Sequence, residues 1–404
     1  MQNAPKSLRL HISVFGRTNV GKSSVINLIS GQDVSIVSPV SGTTTDAVEK
    51  SMELPPLGPV LLTDTAGMDD KTILAAEREK AAVKVFDRTD CALLVCESGC
   101  WDDACTALMQ QAKERNIPVI VIANKCDIAP LTEDFREMLL RQGAASVIPL
   151  CAVDRSGRDQ FLAELKQALI RIVPEDFISP PPLLGDMLPE NATVVLVCPI
   201  DLQAPKGRLI LPQVQAIRDA LDFNAKVIVC KLDQYTNTLE LLKMPPDLVV
   251  CDSQVVKNVI SNTPEKIPCT TFSILFSRLK GDLDTLIKGV QAVKNLKDGD
   301  RVLIAEACTH HALNDDIGRV KIPRWIREYT KKDVQFDVAA GHDYPENLSQ
   351  YKLIVHCGGC MLNRREILTR ISTASNSQIP ITNYGICISL TQGVLDRVLV
   401  PFVE

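Results

Sequence analysis

The sequence has no apolar run long enough to span a membrane, and its N-terminus lacks the apolar segment of a signal peptide. It has no basic tail or arginine-rich block, and its formal net charge is −5. Aromatic residues make up only 4% of the 404 residues, so the cores must be mainly aliphatic. These absences argue against a membrane association and against a nucleic-acid partner held by backbone electrostatics, and we expect a cytoplasmic protein.

Cysteine, by contrast, is abundant, with 14 residues. Because no export signal is visible, we expect these residues to be thiols in a reducing compartment. Most of them lie singly in apolar runs, where a cysteine is usually a small buried hydrophobe. Examples are Cys96, Cys198, Cys230 and Cys251. The exceptions lie near the C-terminus.

The length predicts two or three domains, and the patterning predicts the α/β class throughout. Strand and helix patterns alternate over residues 1–175, as in a P-loop domain with a mostly parallel sheet. A proline-rich linker follows at 176–189. We expect a small α/β domain at 190–272, suited to dimerisation, and an α/β domain that binds a metal or cluster at 273–404.

A glycine-rich loop follows the apolar strand from Leu10 to Phe15 and leads into an amphipathic segment. In this strand–loop–helix context the pattern G-x-x-x-x-G-K-S predicts a phosphate-binding loop. Lys22 is expected to reach the β- and γ-phosphates, and the Ser23 hydroxyl to ligate Mg²⁺. The predicted nucleotide-binding residues here are Gly16, Asn19, Val20, Gly21, Lys22, Ser23 and Ser24.

Two further loops complete the expected γ-phosphate and Mg²⁺ site. A threonine after the first helix, Thr45 or its neighbour Thr44, can place its hydroxyl on Mg²⁺ and the γ-phosphate. An apolar strand then delivers Asp64 to the water shell of Mg²⁺, and Gly67 can donate its N–H to the γ-phosphate. The predicted catalytic residues are Lys22, Thr45, Asp64 and Gly67.

The base specificity is predicted by Asn124-Lys125-Cys126-Asp127, which follows a strand. The Asp127 carboxylate can accept two hydrogen bonds from the N1–H and N2–H₂ edge of guanine, whereas adenine would leave it unpaired. Cys151 and Ala152 stand where a Ser-Ala pair usually supports the base. The four motifs together favour GTP over ATP.

In these motifs the first domain resembles the bacterial GTPases of the TrmE and Era group. Met68 replaces the water-orienting glutamine of Ras-like proteins, so the resemblance implies slow hydrolysis. Asn19 matches the asparagine that ligates K⁺ beside the phosphates in potassium-activated members. The resemblance therefore implies a K⁺-stimulated GTPase that binds GTP, GDP and Mg²⁺ and acts as a switch.

The last third contains two clusters of potential metal ligands. Glu306-Ala307-Cys308-Thr309-His310-His311 follows one predicted strand, and His356-Cys357-Gly358-Gly359-Cys360 follows another. Ligands of parallel sheets lie at such strand ends. The three thiols could hold zinc or an iron–sulfur cluster, Cys357 and Cys360 could form a redox dithiol, or all three could be structural.

The order C-T-H, a long gap, and H-C-G-G-C after a K⁺-type GTPase domain is similar to the HydF family of [FeFe]-hydrogenase maturation GTPases. Residue by residue, the resemblance assigns a [4Fe–4S] cluster to Cys308, Cys357 and Cys360, with His310 or His356 as a candidate fourth ligand. It implies a homodimeric scaffold that assembles the two-iron subcluster precursor. The implied partners are radical-SAM maturases and apo-[FeFe]-hydrogenase.

Two other classes of function remain open at this point. One is an RNA- or ribosome-associated GTPase with a structural zinc site, although no RNA-binding G-X-X-G loop is evident. The other is a metalloenzyme that carries out its own chemistry on the cluster, for which Glu306, His311 and His342 are candidate acid–base groups.

Overall fold

The computed structural model describes residues 4–31, 48–65, 82–178, 180–200, 209–307, 316–341, 344–345 and 347–402. The chain forms two compact units, Met1–Pro180 and Pro181–Glu404. The division between them falls inside the segment predicted as a proline-rich linker. Several predicted site residues lie outside the described residues, namely Thr44, Thr45, Gly67, Cys308 and His310, and so do Met68, His311 and His342.

Over its described residues the first unit contains a sheet with the strand order β2-β3-β1-β4-β5-β6. All strand pairs are parallel except β2–β3. The strands are β1 (Leu10–Gly16), β2 (Val48–Leu54), β3 (Gly58–Asp64), β4 (Cys91–Glu97), β5 (Val119–Asn124) and β6 (Ser146–Pro149). The central strands are uninterrupted apolar runs because helices cover both faces of a parallel sheet.

Two helices of this unit begin at side chains that cap their N-termini. Asp102 accepts a hydrogen bond from Cys105 N at the start of α2, and Thr132 accepts one from Phe135 N at the start of α3. The helices are α1 (Lys22–Ser30), α2 (Asp103–Glu114), α3 (Glu133–Arg141), α4 (Arg158–Ile172) and the short α5 (Glu175–Ile178). Their apolar faces form one core on each side of the sheet.

The second unit contains two sheets, each with four parallel strands among the described residues. The first has the order β10-β9-β7-β8, and the second β12-β11-β13-β14. The strands are β7 (Thr193–Val197), β8 (Lys226–Cys230), β9 (Leu248–Cys251), β10 (Cys269–Thr271), β11 (Arg301–Ala305), β12 (Gln335–Ala339), β13 (Leu353–His356) and β14 (Ile381–Asn383).

The two sheets share a hydrophobic core, which contains Val195 of β7 and Ile354 of β13. Helix α13 is buried along most of its length and packs against α9, α10 and α11. The helices are α6 (Leu211–Asp222), α7 (Tyr235–Leu241), α8 (Val256–Ser261), α9 (Phe272–Lys280), α10 (Leu283–Val290), α11 (Ile322–Thr330), α12 (Arg364–Asn376), α13 (Tyr384–Thr391) and α14 (Leu395–Leu399).

The predicted α/β class and the mostly parallel sheet of the first domain are confirmed. The strand predicted directly before Glu306 is β11, which ends at Ala305. Across the described residues, no helix has the length and apolar character that a bilayer span needs. Of the cysteines expected in apolar cores, Cys96 and Cys198 are buried and Cys230 is half-buried.

Candidate functional sites

The phosphate loop joins β1 to α1 through two glycines with left-handed backbone angles. Gly16 has φ 145° and Gly21 has φ 100°. A Cβ at Gly16 would lie 2.3 Å from the Val95 carbonyl oxygen, and a Cβ at Gly21 would lie 2.3 Å from Asn124 Nδ2. Only glycine fits both positions, because the backbone angle and the close neighbour each exclude a side chain.

Lys22 is buried at the first position of α1, and its Nζ donates to Gly16 O at 3.1 Å and to Arg17 O at 2.6 Å. The ammonium group is therefore held against the loop that would carry the phosphates. At the apex of the loop, Asn19 is exposed and has φ 65°. This exposure leaves the predicted K⁺ ligand accessible from solvent.

The two described candidates for Mg²⁺ binding lie side by side. Strands β1 and β3 are parallel neighbours, and their register pairs Val14 with Asp64. This arrangement brings Asp64 to the start of α1, where the Ser23 hydroxyl donates to Asp64 Oδ2 at 2.8 Å. Burial raises the pKa of Asp64, and the hydrogen bond from Ser23 opposes that effect. Hydroxyl and carboxylate oxygens are the ligands that Mg²⁺ prefers.

Asn124 connects three loops at the predicted base site. It is buried at the end of β5, its Nδ2 donates to Val20 O at 2.8 Å, and its Oδ1 accepts from Ala152 N at 3.0 Å. Asn124 thus holds the phosphate loop and the Cys151–Ala152 loop together. Lys125 has φ 62° and forms a short ion pair with Glu97.

Asp127 is exposed, so its carboxylate is accessible to the guanine base that it is predicted to bind. A hydrogen bond from the Cys151 thiol to Asp127 raises the pKa of Cys151. The Cys151 thiol therefore donates to the carboxylate that is predicted to read the base.

One contact of the phosphate loop was missed by sequence reasoning. Arg17 Nη1 lies 2.7 Å from Asp102 Oδ2, and the same carboxyl group caps α2. The ion pair fixes the loop to the start of α2. The only sequence signal for Asp102 is its N-cap position, and nothing local indicates that its partner is Arg17.

The second site lies at the carboxyl end of β13. Cys357 N donates to Ala305 O at 2.8 Å, and Ala307 N donates to the Cys357 thiol sulfur at 3.0 Å. Gly359 has φ 62°, which turns the chain between the two cysteines. Cys357 and Cys360 are both half-buried. The structure thus brings together the end of β11 and the C-x-x-C loop.

His356 uses both ring nitrogens for hydrogen bonds within the protein. Its Nδ1 lies 2.6 Å from Cys357 O and its Nε2 lies 3.0 Å from Arg370 Nη1. Because the arginine can only donate, Nε2 accepts and Nδ1 carries the proton. Burial and the nearby Arg370 charge lower the pKa of His356 to about 4. The imidazole is therefore neutral, and the candidate fourth ligand is already engaged in this arrangement.

Arg370 belongs to a buried network that the sequence did not reveal. Its Nη2 donates to Gly341 O at 2.6 Å and to Glu366 Oε1 at 2.8 Å, and its guanidinium lies 5.2 Å from the centre of the Tyr344 ring. Glu366 and Arg370 are spaced i, i+4 on α12, which is a signal for an ion pair but not for a partner at His356.

Glu306, the other described candidate ligand, is also engaged. It is buried, and Arg319 Nη2 lies 2.8 Å from its Oε2. Cys308 and His310 lie outside the described residues, and among the residues that are described no group of three metal-ligating side chains comes together.

Lys280, the last residue of α9, contacts the C-x-x-C loop. Its Nζ donates to Leu362 O at 2.9 Å and lies 3.4 Å from both Gly359 O and Cys360 O. Burial lowers the pKa of Lys280 to about 8, and the thiols of Cys360 and Cys357 oppose that effect. Burial also raises the pKa of Cys360, which Lys280 in turn counteracts. The position of Lys280 at the end of an apolar helix gave no sequence signal for this role.

The chain matches three family models, each over a separate range. Residues 11–125 match the model of a 50S ribosome-binding GTPase. Residues 183–281 match the hydrogen maturase F dimerization domain, and residues 284–401 match the hydrogen maturase F tetramerization domain. The last two ranges make up more than half of the chain.

Similar curated proteins match the first unit. The GTPase Era of Xanthomonas axonopodis pv. citri (strain 306) is 31% identical over 173 residues, which are 41% of this chain and 55% of that protein. The tRNA modification GTPase MnmE of Synechococcus sp. (strain JA-3-3Ab) is 33% identical over 166 residues, which are 40% of this chain and 33% of that protein. The chain thus spans about half, or less, of the length of these relatives.

Among solved structures, Aquifex aeolicus Era bound to GDP and AlF4− is 18% identical and has a TM-score of 0.36. The match covers 58% of this chain and 98% of that chain.

Proposed function

Because this chain belongs to the hydrogen maturase F family, we propose that it is a GTP-hydrolysing scaffold in [FeFe]-hydrogenase maturation. In this proposal the first unit is a GTP-dependent switch, and the second unit carries a [4Fe–4S] cluster. The scaffold assembles the two-iron subcluster precursor with radical-SAM maturases and delivers it to apo-[FeFe]-hydrogenase. The observation that carries the proposal is the approach of the segment just before Cys308 to the C-x-x-C loop, through the hydrogen bond from Ala307 N to Cys357.

The chemistry of the donor set fits an iron–sulfur cluster. Thiolates are the ligands that such clusters use. Cys357 and Cys360 are both half-buried in the loop that follows β13. With Cys308 as the third ligand, one iron has no thiolate. A bound cluster would supply an iron with an exchangeable position to which a guest complex can attach.

The GTPase part of the proposal rests on the contacts of Lys22, Ser23, Asp64 and Asn124. We expect slow hydrolysis with Mg²⁺ and stimulation by K⁺ through Asn19. The test compares GTP hydrolysis in potassium and sodium chloride for the wild type and Asn19→Gly. Glycine is chosen because it adopts φ 65° without strain, so that the amide-bearing side chain is lost without distortion of the loop backbone. Equal stimulation of both proteins would remove Asn19 from the K⁺ site.

Both matched family domains of the second unit are oligomerization domains. For the homodimer we propose the edge strand β8 as the interface, through pairing with β8 of a second copy. Strand β8 pairs with β7 on one side only among the described strands, and Val229 on it is 43% exposed. An apolar open edge is a template for strand addition. Val229→Lys should shift the sedimentation coefficient towards the monomer, whereas Lys226→Arg on the same strand should not.

The decisive experiment is anaerobic analysis of iron, sulfide and zinc, with EPR of the reduced protein. We expect about four irons and four sulfides per chain in the wild type and loss of the cluster signal in Cys357→Ser. Cys100→Ser is the matched control, because Cys100 is an exposed thiol in the other unit. If Cys100→Ser lost the cluster as well, the assignment of the site would be wrong.

The competing function is that of an RNA- or ribosome-associated GTPase with a structural zinc site. The description of the matched GTPase model and the likeness to Era favour it for the first unit. Stoichiometric zinc with no cluster signal after anaerobic reconstitution would support this alternative.

Coupling of the GTP-dependent switch to transfer of the two-iron precursor is tested separately. Equal maturase binding to the GDP- and GTP-bound forms would contradict this coupling.

A further inference from the structure

Helix α9 places a lysine in the protein interior beneath the C-x-x-C loop. Lys280 is only 3% exposed, although it is the last residue of the helix. Its ammonium group contacts the carbonyl oxygens of Gly359, Cys360 and Leu362, so its three polar contacts with described residues are all to the loop and the residues just after it. The ring of Phe276 lies 5.5 Å from Nζ.

Lys280 differs from the other cations near this site, the buried Arg370 and the exposed Arg319, because it has no carboxylate partner among the described residues. Arg370 is paired with Glu366, and Arg319 with Glu306. Within the described part of the chain, Lys280 has no such carboxylate, and the ionisable groups that act on it are the thiols of Cys360 and Cys357. A buried charge without an opposite charge is strongly unfavourable. Thiolates, which form when a metal binds, would provide that opposite charge.

We propose that Lys280 is a charge-compensating and positioning residue of the cysteine site, which offsets the negative charge of a thiolate-bound iron–sulfur cluster. The inference rests on the proposed function for the identity of the cluster. Net charge and nearby hydrogen bonds set the reduction potentials of such clusters. A buried cation beside the thiolates favours the reduced, more negative cluster, so Lys280 raises the reduction potential. Its contacts with the loop carbonyls also hold the two cysteines in place.

The test separates the charge of Lys280 from its hydrogen bonds. Lys280→Gln removes the charge and keeps a donor near the loop, and Lys280→Met removes both. Lys280→Arg restores the charge. The control is Lys288→Met, which removes one charge from an exposed position of the neighbouring helix α10. All proteins are used as full chains, with circular dichroism of the metal-free forms to verify folding.

The first readout is an EPR-monitored redox titration of the reconstituted proteins. Lys280→Gln and Lys280→Met should each favour the oxidised cluster about tenfold relative to the wild type, which is about 59 mV for a one-electron couple. Lys280→Arg should recover most of this change, and Lys288→Met should match the wild type. A wild-type potential in Lys280→Gln would overturn the charge role, even if Lys280→Met were altered.

The second readout does not require a cluster. In the metal-free protein, removal of the lysine charge should slow the alkylation of Cys360 by iodoacetamide about threefold at neutral pH, because less of the thiol is ionised. Peptide mass spectrometry identifies the modified cysteine. If the wild type bound no cluster but alkylation slowed, the proposed function would fail while Lys280 kept its role beside the thiols. Unchanged alkylation in both charge-removing variants would contradict the inference.

Discussion

Acidification should destabilise the metal-free protein through one side chain, His356. Between pH 7 and pH 5 we expect its contribution to lower the unfolding free energy of the second unit by about 2 kcal/mol. His356 is 4% exposed, and its two ring nitrogens are bonded to Cys357 O and Arg370. Protonation would place a positive charge on the nitrogen that faces the arginine, and burial withholds the water that would stabilise that charge.

The direction of this change in unfolding free energy follows from whether the folded or the unfolded chain binds the proton. The folded-state pKa of His356 is lowered from its ordinary value of 6.5 to about 4. Below pH 6.5 the unfolded chain therefore takes up a proton that the folded chain does not, and the folded state loses stability as the pH falls. The loss is small at pH 7, about 2 kcal/mol at pH 5, and approaches 3 kcal/mol near pH 4.

The assay is urea unfolding of the full-length, metal-free chain at pH 7, 6 and 5. The chain has 2 tryptophans. Trp101 is in the first unit and Trp325 is in the second, so a Trp101→Phe background makes fluorescence report on the second unit alone. The matched variant is His356→Gln, whose amide can donate and accept but does not titrate.

The decisive quantity is the difference between the pH profiles of the two proteins, because carboxylates elsewhere titrate equally in both. The wild type should lose about 2 kcal/mol more than His356→Gln between pH 7 and pH 5. Parallel profiles would show that His356 is not held neutral by burial and Arg370.

Three further predictions concern the nucleotide site and the packing of the second unit. Asp127→Asn should weaken GTP binding by about 2–4 kcal/mol, because the negative charge is lost and the amide NH₂ faces one of the two guanine N–H donors, and fluorescent-nucleotide titration measures the change. ATP binding that weakened equally would argue against base reading. Ser23→Ala should reduce Mg²⁺-dependent GTP hydrolysis by at least about tenfold, because the hydroxyl beside Asp64 is removed; a rate equal to that of the wild type would exclude Ser23 as a ligand. Gly289→Ala should destabilise the second unit by about 1–3 kcal/mol or more, because its Cβ would lie 1.9 Å from Ile381 O. Gly157→Ala meets no atom within 4 Å and serves as the control in thermal unfolding.

The sequence by itself determined the features that depend on neighbours along the chain. The phosphate loop, the Asn124-to-Asp127 loop and the buried strands were all predicted, because backbone angles, glycine positions and apolar runs are local properties. The strand predicted before His356 extends by one residue to include it, because β13 spans Leu353–His356.

The tertiary structure alone decided which charges meet. Lys280 is 82 residues from Leu362, and Arg17 is 85 residues from Asp102, so no local pattern could pair them. The same holds for the neutral state of His356, which follows from its burial and from Arg370 on α12. The sequence therefore determined which groups can bind phosphate and sulfur-ligated metal. Only the folded chain set their charges, because burial and long-range neighbours, rather than residue type, decide whether a side chain is ionised.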